Sequence, residues 1–499
     1  ILSSHDTFAS YYAHAGPGVL HIRPLINTKS AAEVETFESI AESVTDLVVK
    51  HGGSISGEHG DGRARTQWNR KLYGDELFSA FRELKTAFDP DWLLNPGNIC
   101  GDYDLTENLR FDPQYEFDTG FEPVMNWEND NGFAGMVELC HGCGGCRGTQ
   151  EVTGGVMCPT YRAAEEEIQT TRGRANMLRR AFSGQLDNET VFTDEFVEEV
   201  LDLCIGCKGC AKDCPSGVDM AKMKAELTHE YHQRNGSSLR DRVFANITQL
   251  SKIGSALAPV SNVAQQLPGS GIIQEKLLGI ARERTLPKFH RQTLRKWFNK
   301  RGGTHVSAES SSRKVILFPD IYSNHNHPTA GKAAVRTLEA LSIHVEIPDE
   351  VAGSGRPPHS KGFLDKARSA AKTNIELLNP YIERGYDIVV IEPSDAVMFQ
   401  RDYLDLLSGP AVERFADNSY GILEYIDTFN LLSTASITPT VDDEYPSLTY
   451  HGHCHQKSTK KDHHAVGVLR RAGYAVDPLD STCCGMAGSF GYESEHYSM

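Results

Sequence analysis

The sequence predicts a multidomain chain of α+β and α/β parts joined through a helical, cysteine-rich middle. Of the twelve cysteines, eight lie between Cys140 and Pro215, in two blocks of three cysteines at two-residue spacing that each end in a Cys-Pro. From residue 313 onward, apolar β-rich runs alternate with helical periodicity: Lys314 to Phe318, a helix from Gly331 to Leu341, His344 to Ile347, a helix near Leu364 to Leu378, and Asp387 to Ile391. That alternation is the pattern of a parallel α/β sheet. Before residue 115, a β-like stretch from Tyr11 to Pro24 gives way to amphipathic helices over Ala31 to Lys50 and Asp75 to Phe88. The expected domains are 1–115, 116–235, a helical linker at 236–312, and 313–499.

At 499 residues the chain is long enough for about three domains, each with its own core. The net charge of -17 argues against nucleic acid as the main partner, because phosphate binding needs a basic stripe. No uninterrupted apolar run reaches the length of a spanning helix, and no basic segment precedes an apolar core as in a signal peptide. Peripheral membrane contact is left open. Ile1 in place of methionine, and a stop at Met499 just past a cysteine-rich motif, suggest a fragment of a longer polypeptide.

Cys204-x2-Cys207-x2-Cys210-x3-Cys214-Pro215 matches the bacterial run for a 4Fe-4S cluster, in which three thiolates wrap one cube and the fourth cysteine serves a second. On that logic Cys140, Cys143 and Cys146 take Cys214, while Cys204, Cys207 and Cys210 take Cys158. The first block departs from the ideal by the eleven residues Arg147 to Met157, which include Gly148, Gly154 and Gly155 and read as a loop insertion. Cys-x2-Cys pairs also build zinc ribbons, but two triplets each followed by Cys-Pro are not the usual zinc spacing. Thiolates meant for iron must stay reduced, which argues for a cytoplasmic setting. Ala163 to Phe182 is helical in pattern and holds Arg172 and Arg174, either near a cluster or on a solvated face. Asp194 to Leu203 then leads into Cys204. The arrangement resembles the α-helical ferredoxin of glycolate oxidase and glycerol-3-phosphate dehydrogenase iron-sulfur subunits.

In residues 1–115, His14 and His21 flank a glycine turn, and Ser56-Gly57-Glu58-His59-Gly60-Asp61-Gly62-Arg63 places a carboxylate and an imidazole in a glycine loop that lets backbone approach a ligand. Taken singly these are weak signals. With the tail Leu94-Asn95-Pro96-Gly97-Asn98, they resemble the C-terminal half of the FAD-linked oxidase fold of D-2-hydroxyacid dehydrogenases. The resemblance implies that His14, His21 and Glu58 hold a divalent metal, commonly zinc, beside the substrate. It puts His59 at the flavin as the base for the hydroxyl proton, and Asn98 among the FAD-binding residues. Two imidazoles and one carboxylate leave open positions on a metal, which suits the hydroxyl and carboxylate of a 2-hydroxyacid. Arg23 can pair with that carboxylate bidentately; the alternative is a surface salt bridge, and the same holds for Arg63 and Arg65. That family binds FAD largely through an N-terminal domain with a glycine-rich loop, and none precedes Ile1, so weak FAD binding is expected of this chain alone.

Pro259, Pro268 and Pro287 break the 236–312 segment. Lys288 to Arg301 carries six basic residues around Leu294, Trp297 and Phe298, as in a helix that lies on an anionic membrane or in a charged connector that packs its tryptophan. Ser307 to Ser312 reads as a joint. A second copy of the α/β pattern begins at Ser447 and runs through His451-Gly452-His453-Cys454-His455 to Cys483-Cys484-Gly485, which resembles the cysteine-rich CCG repeats of heterodisulfide reductase. The first copy has Asp320 to Asn324, Val351 to Gly353 and Glu392 to Asp395 where cysteines would fall. Cys454, Cys483 and Cys484 are candidate ligands for a further cluster or metal, with His453, His455 or a residue past Met499, or else plain buried residues.

In this order the parts resemble the fused FAD and iron-sulfur D-2-hydroxyglutarate or D-lactate dehydrogenases of bacteria and archaea. The resemblance implies oxidation of a D-2-hydroxyacid, with electrons passing from FAD through two 4Fe-4S clusters to a quinone, a cytochrome or an electron-transfer protein. The alternatives are an iron-sulfur subunit that docks a separate flavoprotein, against which residues 1–115 argue, and a disulfide reductase at the CCG site.

Overall fold

The computed structural model describes residues 1–149, 156–434, 446–479 and 481–498, and it divides into two units, Ile1–Glu116 and Phe117–Met499. In the first unit the β-like stretch folds as a hairpin, β1 (Ala9–His14) pairing antiparallel with β2 (Val19–Pro24). Its register sets Ser10 opposite Arg23, Tyr12 opposite His21 and His14 opposite Val19. Side chains alternate with period two, so Tyr12, His14, His21 and Arg23 share one face. The helix Ala31–Lys50 follows and stops at Gly52 in the left-handed region, φ +69°. The second helix spans Thr66–Phe88 but breaks at Gly74, φ +81°. Its Asp75-to-Phe88 part is the expected helix, and the turns before Gly74 are additional. Those turns clamp the unit, since the Trp68 indole and Lys71 both bond to Glu42 of the preceding helix. The Asn69 amide donates to Ile99 O (2.8 Å) while Thr66 Oγ1 accepts the Ile99 N–H (2.8 Å), which pins the tail carrying Asn98.

In the second unit a four-stranded parallel sheet is built from β3 (Arg313–Leu317), β4 (Ile343–Glu346), β5 (Tyr386–Val390) and β6 (Ser419–Gly421), in the order β4-β3-β5-β6. Helices Pro328–Ala340 and Leu364–Ile382 cover it. The late motif forms a separate parallel pair, β7 (Ser447–Tyr450) with β8 (Ala475–Pro478). A single buried core runs from Met125 and Trp127 through Leu178 and Met223 to Ile388 and Phe399, so the cysteine module and the sheet pack as one body.

Three expected elements come out differently. Ala163 to Phe182 is two helices, Pro159–Ala164 and Thr171–Phe182; Thr170 caps the second by accepting the Gly173 N–H (2.8 Å) and so ends any continuous helix there. Within 236–312, the helices Leu239–Ala245 and Ile247–Ala256 pack on the sheet domain, where Ser255 bonds to His325 (2.9 Å), and Val260–Gln266 packs on Ser270–Leu278. The basic segment is helical only over Leu294–Lys300, and its Leu294 and Phe298 are buried in the core beside β3. That apolar side faces protein rather than a membrane. Part of the loop between Cys146 and Cys158, residues 150–155, lies outside the described residues.

The segment before the cysteines is tied down by one buried carboxylate: Glu226 accepts the N–H of Val124 (2.7 Å), the N–H of Met125 (2.9 Å) and the indole N–H of Trp127 (2.9 Å). Glu226→Leu strands these buried donors and is expected to destabilise the folded chain by roughly 3–5 kcal/mol. Denaturant unfolding followed by tryptophan fluorescence measures it; a change within experimental error contradicts this role.

Candidate functional site

The hairpin face and the glycine loop meet. His14 Nε2 lies 3.4 Å from Glu58 Oε2, and His21 Nε2 lies 3.2 Å from Glu58 Oε1. One ligand atom from each of the three falls within 4.8 Å of the others. The His21 ring stacks on Tyr12 at 4.2 Å and 8° and meets His14 edge-on at 5.0 Å. Its Nε2 is buried and makes no hydrogen bond, and two imidazoles with one carboxylate form a donor set that could hold a divalent metal. Gly57 is required here, because a Cβ at that position would come within 2.6 Å of a Val19 methyl and push the loop off β2.

His59 is exposed and its Nε2 stands 2.7 Å from Glu58 Oε1. Arg23 donates to Tyr12 Oη (2.9 Å), lies over the same ring (4.9 Å to its centroid), and makes no ion pair among the described residues. Arg65 serves the loop itself, donating to Ile55 O (2.9 Å) and Gly60 O (3.0 Å), while Arg63 lies over Tyr103. In the tail, Asn98 Oδ1 is buried without a partner, an acceptor open to a ligand.

In the second unit the two cysteine blocks repeat one backbone shape. Gly142 and Gly206 both sit at positive φ (+83° and +62°), as do Gly144 and Lys208 (+75° and +59°), so the same left-handed turns wrap each triplet. All the module's cysteines are free. Several sulfurs accept backbone hydrogens: Thr171 N–H reaches Cys158 (3.2 Å), Gly209 N–H reaches Cys207 (3.4 Å) and Met220 N–H reaches Cys210 (3.3 Å). Burial pushes the Cys158 thiol up to about 11 and raises Cys207 and Cys210 as well. Buried sulfurs ringed by N–H donors fit iron-bound thiolates, whose charge both the metal and the donors stabilise. Cys158 lies close enough to act electrostatically on Cys207 and Cys210, which Cys204 also reaches, and it borders Cys146 as well. Arg172 lies beside Cys140 and Cys146 and donates to Gly142 O (3.1 Å), whereas Arg174 is buried on backbone carbonyls such as Val200 O (2.7 Å).

Lys208 is a buried charge beside the second triplet that the spacing did not reveal. Its ammonium is buried inside the second triplet, 2.7 Å from Asp402 Oδ1 and 3.9 Å from Asp219 Oδ2. Although burial opposes its charge, Arg356 and Lys208 hold Asp402 well below the usual carboxylate range. The signal in the sequence was a lysine at the position that Gly144 occupies in the first block; its partner is nearly two hundred residues away.

The late motif abuts the second triplet. Helix Cys454–Ser458 packs on Gly209–Asp213, and His455 Nε2 donates to Gly206 O (3.1 Å). The neighbouring Cys454 thiol pulls Cys483 down to about 6 while Cys483 holds Cys454 up, and Cys483 also acts on Cys207. Cys484 is exposed next to them. His453 accepts the His455 N–H (3.2 Å) and lies 3.9 Å from Glu392. In the first copy, Asp320 and Asp395 are buried carboxyls bonded to Ser323 (2.5 Å) and Ser354 (2.6 Å); burial raises both, Asp320 to about 6.

Residues 1–99 match the family of FAD linked oxidases, C-terminal domain, and residues 136–218 match the 4Fe-4S dicluster domain. The chain thus joins a flavin-linked oxidase part to an iron-sulfur part. It is similar to the D-2-hydroxyglutarate dehydrogenase of Haemophilus influenzae, at 24% identity over 100% of this chain and 52% of the relative, and to that of Escherichia coli, at 25% over 100% and 51%. It is also similar to the glycolate oxidase iron-sulfur subunit of Escherichia coli, at 23% over 71% of this chain and 80% of the relative. The chain spans about half the length of the D-2-hydroxyglutarate dehydrogenases it matches. No solved structure matches.

The proximity of Cys158 to the second triplet makes ligation separable by single substitutions. Cys158→Ala is expected to remove the cluster held by Cys204, Cys207 and Cys210, and Cys214→Ala that held by Cys140, Cys143 and Cys146, each followed by its own EPR signal in the reduced, reconstituted chain. Loss of the neighbouring cluster in each case instead means that ligation is local.

Proposed function

We propose that this chain is the substrate-metal and electron-carrying part of an FAD- and iron-sulfur-dependent dehydrogenase that oxidises a D-2-hydroxyacid, D-2-hydroxyglutarate or D-lactate, to the 2-oxoacid. Electrons leave through two clusters to an external acceptor such as a quinone, a cytochrome or an electron-transfer protein. The observation that carries the reading is the convergence of His14, His21, Glu58 and His59 beside an arginine with no carboxylate partner among the described residues, on the same chain as two cysteine triplets. Relatives named D-2-hydroxyglutarate dehydrogenase support the substrate class.

His14, His21 and Glu58 hold the divalent metal, zinc being suited to two imidazoles and a carboxylate. The bound metal supplies a Lewis acid for the substrate oxygens, FAD a two-electron acceptor, and the clusters single-electron carriage. Arg23, oriented by Tyr12, binds the substrate carboxylate as a fork. His59 takes the hydroxyl proton at Nδ1, with Glu58 holding the opposite ring nitrogen. Asn98 contributes to the flavin site through its amide. Cys140, Cys143, Cys146 and Cys214 ligate one cluster, and Cys204, Cys207, Cys210 and Cys158 the other; Cys454, Cys483 and Cys484 offer thiols for a further metal or cluster.

In the full-length enzyme, chelation is expected to abolish turnover and added divalent metal to restore it. His21→Ala is expected to lose the metal, and His59→Asn to keep it while lowering kcat roughly 10²–10⁴-fold. Wild-type metal content and turnover in His21→Ala contradicts the site.

A further inference from the structure

The helices between the cysteine module and the sheet leave an apolar face uncovered, a feature that the oxidation chemistry does not use. Ile247–Ala256, Val260–Gln266 and Ser270–Leu278 follow one another. On them Ile253, Leu257, Val260, Val263, Ile273 and Leu277 are 56–70% exposed. Across residues 247 to 278 the only charged residues are Lys252, Glu275 and Lys276. An exposed apolar surface of this kind marks an interaction site rather than ordinary solvent-facing protein.

What covers it is indicated by charge. Lys252, Lys276, Lys288, Arg291, Lys296 and Lys300 are exposed and take part in no ion pair among the described residues. They lie with the apolar helices: Asn262 exchanges two hydrogen bonds with the Phe289 backbone (both 2.8 Å), the Phe289 ring rests on Gly254, and Lys252 and Lys296 both face His325. In a chain of net charge -17, unpaired cations beside apolar helices form a local exception. A second copy of the chain would set these cations against one another. An anionic bilayer satisfies both features, taking apolar side chains at the acyl boundary and cations at the phosphates.

We propose that this face docks the protein on an anionic phospholipid bilayer. The contact lies on the 247–278 helices, with the basic run from Lys288 at its margin, so that residues 294 and 298 stay in the core.

Co-sedimentation of the cluster-loaded chain with vesicles of phosphatidylcholine alone, or with roughly 30% phosphatidylglycerol, tests this. At least tenfold more bound protein is expected on the anionic vesicles, falling as salt shortens the screening length. Leu257→Glu with Val260→Glu should lower binding about tenfold while iron content and visible spectrum stay unchanged. Lys288→Glu with Arg291→Glu should lower it and flatten the salt dependence. Protein left in the supernatant, equal salt-insensitive binding to both vesicle types, or concentration-dependent dimerisation abolished by Leu257→Glu without vesicle binding, overturns the proposal.

Discussion

Carrying thiolates into a protein interior is the constraint on which the middle of this chain depends. A sulfur anion away from water is unfavourable unless cations and hydrogen donors surround it. Cys158, Cys207 and Cys210 show the desolvation directly, in thiols raised by burial, and they show its remedy in the Thr171, Gly209 and Met220 amides turned toward sulfur. The Gly209 amide follows directly on the left-handed turn at Lys208, while the Thr171 and Met220 amides come from the first turns of helices. Lys208 takes a conformation that disfavours a side chain by about 1–2 kcal/mol, and its buried pairing with Asp402 offsets that. The same pairing extends to Arg356, so the parallel sheet and the second triplet share one ion network.

The first unit solves a different problem with similar means. A two-stranded hairpin alternates its side chains, which puts two imidazoles, a tyrosine and an arginine on one face without any helix or long loop. Glu58 then has to reach that face, and Gly57 is the residue that allows the approach. His59 follows Glu58 directly and is oriented by it. In the proposed function, metal ligation and proton acceptance would meet at this one carboxylate, so a change at Glu58 would disturb both.

How legible these features were depended on how far apart their parts lie in the chain. The cysteine triplets and their glycines are contiguous, and spacing alone shows them. The parallel alternation of β3, β4 and β5 with helices is equally local; each strand came out within a residue, while the helix Pro328–Ala340 starts three residues before, and Leu364–Ile382 ends four residues after, the expected bounds. The His14, His21, Glu58 group spans forty-odd residues, and resemblance rather than spacing linked its members. Lys208 with Asp402, and Glu226 with the Val124 and Met125 amides, have no local signal, because each charge is placed by tertiary packing. Prolines at 259, 268 and 287 suggested a linker, and the segment between them folds as the helices Val260–Gln266 and Ser270–Leu278, neither of which has a buried residue. The basic run drew attention to Leu294 and Phe298, which the core buries, while the exposed apolar residues lie upstream in a stretch almost without charge. Helical periodicity marks an apolar face but does not say what lies opposite it.

Iron and acid-labile sulfide analysis of the anaerobically reconstituted chain, with low-temperature EPR after reduction, tests the central claim most directly. Two clusters require about eight irons and eight sulfides per chain and a paramagnetic signal from coupled low-potential centres on reduction. Two equivalents of zinc, with no sulfide and no signal on reduction, would contradict it.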